Sequence, residues 1–224
     1  LGMPGGLVQI PGTLVPLEKS LYWLIRTRGN GDLALSHVVG GIANAPVTLN
    51  VKSAEWLWQK AAIPSQAASL PVEAQASLVG GAVDVDSAIL CGGEWAGPRK
   101  GESLSLPAVC FFHAGCTERD YSGVALRKSF EPDAIVFYGP KLPLEEGRYS
   151  AELVFDTAAP AGTVLGQFNA RWRGNEDKNW TPVISGSRAI NLFHQKNNMP
   201  FFVAFRYMRE ADMRISRVII SRIE

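Results

Sequence analysis

The feature that most restricts this chain is the rhythm of its apolar runs. Short stretches rich in β-branched and aromatic residues recur along its length, and Gly, Pro and Asn separate them at brief intervals. They include residues 21–28 (LYWLIRTR), 32–40, 45–53, 133–140, 147–156, 163–174, 200–208 and 212–223. In several of them apolar and polar residues alternate. Tyr149, Ala151, Leu153 and Phe155 fall on one face, and Met213 and Ile215 face away from Arg214 and Ser216. A period of two is what a pleated strand with one buried face requires. Many short strands with regular turn signals predict an all-β, antiparallel sandwich or jelly roll.

The length, 224 residues, exceeds what one small sandwich needs. We expect an N-terminal β unit over residues 1–95, partial and with a connecting segment, and a β-sandwich domain over 96–224. Only the middle reads differently. Ser53 is a candidate cap for a short helix through AEWLWQKA, and the Ala- and Ser-rich stretch 61–81, broken by Pro64 and Pro71, reads as a helical connection. Trp56 and Trp58 would share a face only on a strand, where core packing or a unit interface is their use.

Charge narrows the function. Lys plus Arg total 22 against 21 Asp plus Glu, a net charge of +1, which argues against a nucleic-acid partner. No apolar stretch reaches the roughly 20 residues that span a bilayer, and no leader is visible. A first residue of Leu1 rather than Met leads us to expect a piece of a longer protein, and cysteines without a pairing motif lead us to expect a cytoplasmic rather than a secreted one. Cys91, Cys110 and Cys116 form no CxxC pair, and His37, His113 and His194 are scattered, so no zinc site is expected. Cys110 and Cys116 would pair only in an oxidising compartment; free thiols are the expectation. No cofactor is expected, and no Asp-rich loop points to a structural Ca²⁺.

One self-similarity stands out. Tyr22 to Arg26 can be laid over Phe202 to Arg206, and in the same register Asp32 meets Asp212, Ser36 meets Ser216 and Val38 meets Val218. This predicts two equivalent strand–turn–strand units, with Asp32 and Asp212 as natural partners of Arg26 and Arg206.

Phe137-Tyr138-Gly139-Pro140-Lys141-Leu142-Pro143-Leu144, followed by Gly147-Arg148-Tyr149, resembles the strand entry of galactose-binding-like β-sandwich modules of the carbohydrate-binding type. Phe205-Arg206, a turn, then Asp212, Ile215, Val218 and Ile220 resemble the exit. The resemblance covers roughly residues 130–224. It implies a sandwich accompanying bacterial polysaccharide biosynthesis or modification proteins, and carbohydrate binding by analogy. The family has an aromatic after Gly-Pro, where this chain has Lys141. Physically, Pro140 removes a backbone donor and reads as a strand end, Gly147 supplies a turn, and Tyr149 packs its ring inward with its hydroxyl hydrogen-bonded.

Sugar recognition needs aromatic faces for pyranose C–H surfaces and planar polar groups for hydroxyls. Residues 169–180 (NARWRGNEDKNW) hold both: Trp172 and Trp180 bracket a loop with Arg173, Asn175 and Asp177, and these five are the predicted ligand-binding residues. Secondary candidates are Glu94-Trp95 with Arg99 and Lys100, and His113 with Glu118, Arg119, Asp120 and Tyr121. Asp84-Val85-Asp86 is a DxD, a metal and nucleotide-sugar motif, but no βαβ series accompanies it. No GxSxG, HExxH, GxGxxG or P-loop motif occurs. The expected function is non-catalytic binding of a polysaccharide or oligosaccharide. The alternatives are an enzyme acting on carbohydrate, a glycosyltransferase fragment using Asp84 and Asp86 or a hydrolase on a β scaffold, and an assembly module that forms homo-oligomers through exposed strand edges or the tryptophan-rich middle.

Overall fold

The structure is a computed structural model, which describes residues 7–14, 21–39, 42–43, 45–63, 71–92, 97–172, 179–196 and 199–224. The chain divides into two compact units, Leu1–Ala96 and Gly97–Glu224.

The first unit is one antiparallel sheet of β1 (Leu7–Leu14), β2 (Leu21–Val39), β3 (Ile42–Ala43), β4 (Val47–Ile63) and β5 (Pro71–Gly92). Strand β2 is central, with β4 and β5 on either side; β1 pairs with β5 and β3 with the end of β2. The three long strands all pass a glycine-lined crossing. A Cβ on Gly29 would lie 2.3 Å from the Ala82 carbonyl oxygen, and Gly81, at φ +78°, passes so close to Asn30 that a Cβ would come within 2.2 Å of its carbonyl oxygen. Bulges flank the crossing, and bulges with glycine bend strands sharply. The buried cluster draws on both sides of it: Trp23 and Ile25 with Leu33 and Leu35 from β2, Ala61 with Val51 from β4, and Ala76 and Leu78 with Val83 from β5.

This sheet overturns the expected helix. Residues 53–61 lie within β4 and residues 71–81 within β5, and the helical element among the described residues is a 3₁₀ turn at Ala108–Cys110. Alanine favours helix by a fraction of a kcal/mol per residue, whereas pairing along β2 supplies a ladder partner and a buried face to alternate residues. Pro71 opens β5, where a missing N–H is tolerated. Trp56 and Trp58 are on a strand after all, on the face opposite Trp23 and Ile25.

The second unit is an antiparallel β-sandwich of jelly-roll type. One sheet has five strands in the order β13 (Thr181–Ile184), β12 (Val164–Trp172), β15 (Pro200–Tyr207), β10 (Ala134–Pro143) and β7 (Phe112–His113). The other has six: β14 (Ala189–Gln195), β11 (Gly147–Thr157), β16 (Met213–Arg222), β9 (Val124–Leu126) and β8 (Cys116–Thr117), with β6 (Ser103–Pro107) also on β16. Phe137, Phe168, Val203, Phe205 and Tyr207 of the first sheet and Tyr149, Ala151, Leu153, Val218 and Ile220 of the second are buried. A stack of rings joins the sheets: Phe193 lies 5.5 Å from Tyr149 and 4.8 Å from Phe201, centroid to centroid.

Bulges explain two odd spacings in the sequence. Ile215 and Val218 are three apart, yet both are buried, because the β11–β16 register slips at Ser216. Phe137 and Leu142 are five apart and both buried, because β10 bulges between Gly139 and Leu142, with Gly139 at φ +106° and Lys141 at φ +63°. The Gly-Pro pair therefore does not end a strand, as expected, but kinks one that runs on to Pro143. Gly147 is needed for close approach: a Cβ there would sit 2.6 Å from the Glu224 carbonyl oxygen. The Tyr149 hydroxyl donates to the Glu145 carbonyl at 3.0 Å.

The internal echo is not a structural repeat. Residues 21–39 form one continuous strand, whereas Phe202–Arg206 and Asp212–Val218 fall in β15 and β16, which belong to different sheets. The arginine partners differ as well. Arg26 pairs with Asp86 and Arg206 with Asp133, while Asp32 accepts from Asn50 and Asp212 from the Lys128 N–H.

Candidate functional site

Trp172 closes β12 and Trp180 immediately precedes β13, so the two half-buried indoles stand at the base of the β12–β13 connection. Arg173, Asn175 and Asp177 lie outside the described residues. The base is tied to both sheets through one carbonyl. The Asn179 oxygen accepts from Asn169 Nδ2 of the five-stranded sheet at 3.0 Å and from Asn191 Nδ2 of the six-stranded sheet at 2.6 Å. Asn191 also donates to Thr181 Oγ1 at 3.0 Å and accepts the Ala170 N–H at 3.2 Å, so its buried amide is fully used. Residues past Phe168 have no ladder partner on β13, and Asn191 supplies one from across the sandwich. A polar group there would otherwise be buried unpaired, which costs about 1–3 kcal/mol.

Around this base several polar atoms are buried without a partner among the described residues: Asn169 Oδ1, Arg171 Nε and Gln195 Oε1. The Lys196 ammonium lies 5.8 Å from the centre of the Trp172 ring, and the Arg171 guanidinium 5.2 Å from that of Phe202.

A second feature escaped the sequence reading. On the outer face of the five-stranded sheet, register places Phe112, Tyr138, Ala204 and Asn169 side by side across four strands. Phe112 and Tyr138 stack at 5.2 Å with planes 16° apart, and they remain 42% and 46% exposed. The sequence marked Pro140 as a strand end, and only pairing with β7 and β15 shows that Tyr138 points outward beside another ring.

The other candidates are largely committed to internal bonds. Asp84 pairs with Arg28 and Asp86 with Arg26, each at 2.8 Å; the Asp86 carboxylate is fully buried, and the Trp56 ring packs against both guanidiniums at 4.7 and 5.2 Å. The DxD spacing thus serves an Arg-x-Arg on the adjacent strand. Among the described residues no group of three or more His, Cys, Asp or Glu is arranged to hold a metal. His113 donates Nδ1–H to the Gly115 carbonyl and accepts from Thr117. Glu118 accepts from Arg214 and Ser122, and Asp120 from Ser122. The hydrogen bond from Arg214 holds Glu118 below the usual carboxylate range, and that from Ser122 does the same for Asp120. Arg99 and Lys100 are exposed near the start of the unit, and Glu94 and Trp95 lie outside the described residues. Cys110 and Cys116 are free thiols, and burial pushes Cys110 up to about 11. No helix is long and apolar enough to cross a membrane among the described residues.

No protein-family model matches the chain, and no curated protein does either. Among solved structures it is similar to the Bacillus thuringiensis insecticidal crystal protein Cry7Ca1, at 8% identity and a TM-score of 0.37, over 88% of this chain and 42% of that one. It is also similar to the tandem CBM51 modules of the family 98 glycoside hydrolase Sp3GH98 from Streptococcus pneumoniae, at 7% identity and a TM-score of 0.29, over 94% and 83% of the two chains. A triple jelly-roll turret protein of an archaeal virus matches at 10% identity and a TM-score of 0.30, over all of this chain and 60% of its own. The chain thus spans less than half the length of the insecticidal protein. Superpositions this loose carry no argument about function.

Proposed function

We propose that the C-terminal sandwich binds a glycan without chemical turnover, as an accessory module of a bacterial polysaccharide synthesis or modification protein. The observation that supports this is the braced base of the β12–β13 connection, where two amides from opposite sheets hold the Asn179 carbonyl beside Trp180. A site built on a fixed base loses little entropy on binding. Trp172 and Trp180 supply apolar faces for sugar C–H surfaces, and Arg173, Asn175 and Asp177 supply donors and acceptors for hydroxyls.

The test is a glycan-array screen of the protein beside Trp172→Ala and Trp180→Ala. Binding that falls at least tenfold in both variants supports the site. Binding that survives both removes it, and no binding to any glycan removes the function.

A further inference from the structure

The outer face of the five-stranded sheet carries an apolar patch at its β7 side. Phe112, Ile135 and Tyr138 are 42%, 48% and 46% exposed. Phe112 and Tyr138 are cross-strand partners with stacked rings. Ile135 shares their face because the bulge between Ile135 and Phe137 turns both Val136 and Phe137 inward. Gly139 seats the Phe112 ring: a Cβ there would lie 3.4 Å from Phe112 Cδ2, so the ring rests on the side of the backbone that glycine leaves open. The patch ends at Ala204, which faces Tyr138 from β15 and is buried. Exposed apolar residues that stand singly need no explanation, whereas adjoining ones mark a contact surface.

Beside the rings stands an exposed ion pair. Arg206 lies opposite Ile135 on β15, two residues from Ala204 and so about 7 Å along the strand from the level of Tyr138. Its guanidinium contacts the Asp133 carboxylate at 3.2 Å, and the two side chains are 49% and 52% exposed. Both therefore keep donors and lone pairs turned to solvent.

Size decides what this patch can hold. A whole aromatic side chain offers 150–250 Å², so the open parts of Phe112, Tyr138 and Ile135 sum to roughly 250 Å². A stable protein interface takes about 800 Å² on each side. The patch falls well short of that and suits a ligand of a single sugar's size.

Resting on the glycan reading above, we infer that the patch is a second sugar subsite, for a neutral pyranose whose C–H face lies on the Tyr138–Phe112 stack and whose hydroxyls reach Arg206 and Asp133. A sugar hydroxyl is donor and acceptor at once, and a guanidinium beside a carboxylate meets both needs. A charged sugar gains little here, because Arg206 and Asp133 already neutralise each other. The subsite shares no residue with the Trp172–Trp180 site: Trp172 is on β12, and β15 lies between β12 and β10.

The test is NMR titration of the whole ¹⁵N-labelled chain with the methyl glycosides of glucose, galactose and mannose. The amide signals of Phe112, Tyr138 and Arg206 should shift. Tyr138→Ala should weaken that response about three- to tenfold, the worth of one aromatic stack, and Tyr138→Phe, which keeps the ring, should weaken it less. Arg206→Gln, at an exposed position, should weaken it with the rings intact. Trp172→Ala should leave it unchanged. Shifts confined to the β12–β13 connection and indifferent to Tyr138→Ala would overturn the inference and leave the glycan reading standing. Shifts at Phe112 and Tyr138 that follow protein concentration rather than sugar would give the patch to a second copy of the chain and overturn it too. No response to the three glycosides would overturn the subsite, and silence on the glycan array as well would overturn the glycan reading with it.

Discussion

Replacing Asn191 by Ala tests how the candidate site is held. The substitution deletes three hydrogen bonds at once, to the Asn179 oxygen, Thr181 Oγ1 and the Ala170 N–H. Two of those partners have other bonds: Asn179 keeps Asn169, and Thr181 still donates to the Ile190 carbonyl. For the Ala170 N–H no other side-chain acceptor occurs among the described residues, and Ala170 is buried. One orphaned donor costs about 1–3 kcal/mol, and each of the other lost bonds about 0.5–1.5 kcal/mol. Allowing for rearrangement, the sum is about 2–4 kcal/mol, or roughly a 10 °C fall in the melting temperature of a unit this size. Urea denaturation followed by near-ultraviolet circular dichroism measures it. Glycan affinity should fall with it, even at temperatures where the variant is fully folded, because the Asn179 carbonyl then keeps one side-chain donor among the described residues, Asn169. A stability loss below about 0.5 kcal/mol, the scale of an ordinary surface change, would refute the bracing argument.

Three further expectations follow from other parts of the molecule. Asp86→Ala leaves the Arg26 charge buried without its ion-pair partner and should cost the N-terminal unit about 3–5 kcal/mol, while the apolar pair Arg26→Met with Asp86→Leu should recover most of it; tryptophan fluorescence during denaturation reads both, and equal losses would sink the idea. Glu118, held below its ordinary range by Arg214, contributes stability that is present above the unfolded carboxylate value and is lost as pH falls through the lowered one. Glu118→Gln should therefore flatten the acid limb of a pH–stability profile below about pH 4, and an unchanged limb would show that the pair does no work. At pH 8 a thiol raised to about 11 has roughly a thousandth of its population ionised, so Cys110 should react with iodoacetamide far more slowly than exposed Cys116; comparable labelling by mass spectrometry would contradict its burial.

What could be read without coordinates was whatever depends on a period of two. The alternation of Tyr149, Ala151 and Leu153 is a local property of a half-buried strand, and those residues are indeed the inner face of β11. The antiparallel sandwich follows from the number and spacing of such runs. Helix propensity misled at residues 53–61, because it is worth a fraction of a kcal/mol per residue and the ladder with β2 outweighs it. The ion-pair role of Asp84 and Asp86 was not legible in the sequence because their partners, Arg28 and Arg26, lie more than fifty residues away along the chain.

The candidate site divides in the same way. Trp172 and Trp180 could be found from sequence because they are close along the chain and set among polar residues. The Asn191 brace joins residues of opposite sheets, and the Phe112–Tyr138–Ala204–Asn169 row collects one residue from each of four strands. Which residues stand side by side in a sheet is set by register, and register depends on bulges at Gly139 and Ser216 and on the packing of both inner faces. The sequence by itself therefore determined which segments are strands and which of their faces are apolar. Only the tertiary structure decided which strands adjoin, and so which side chains share a surface.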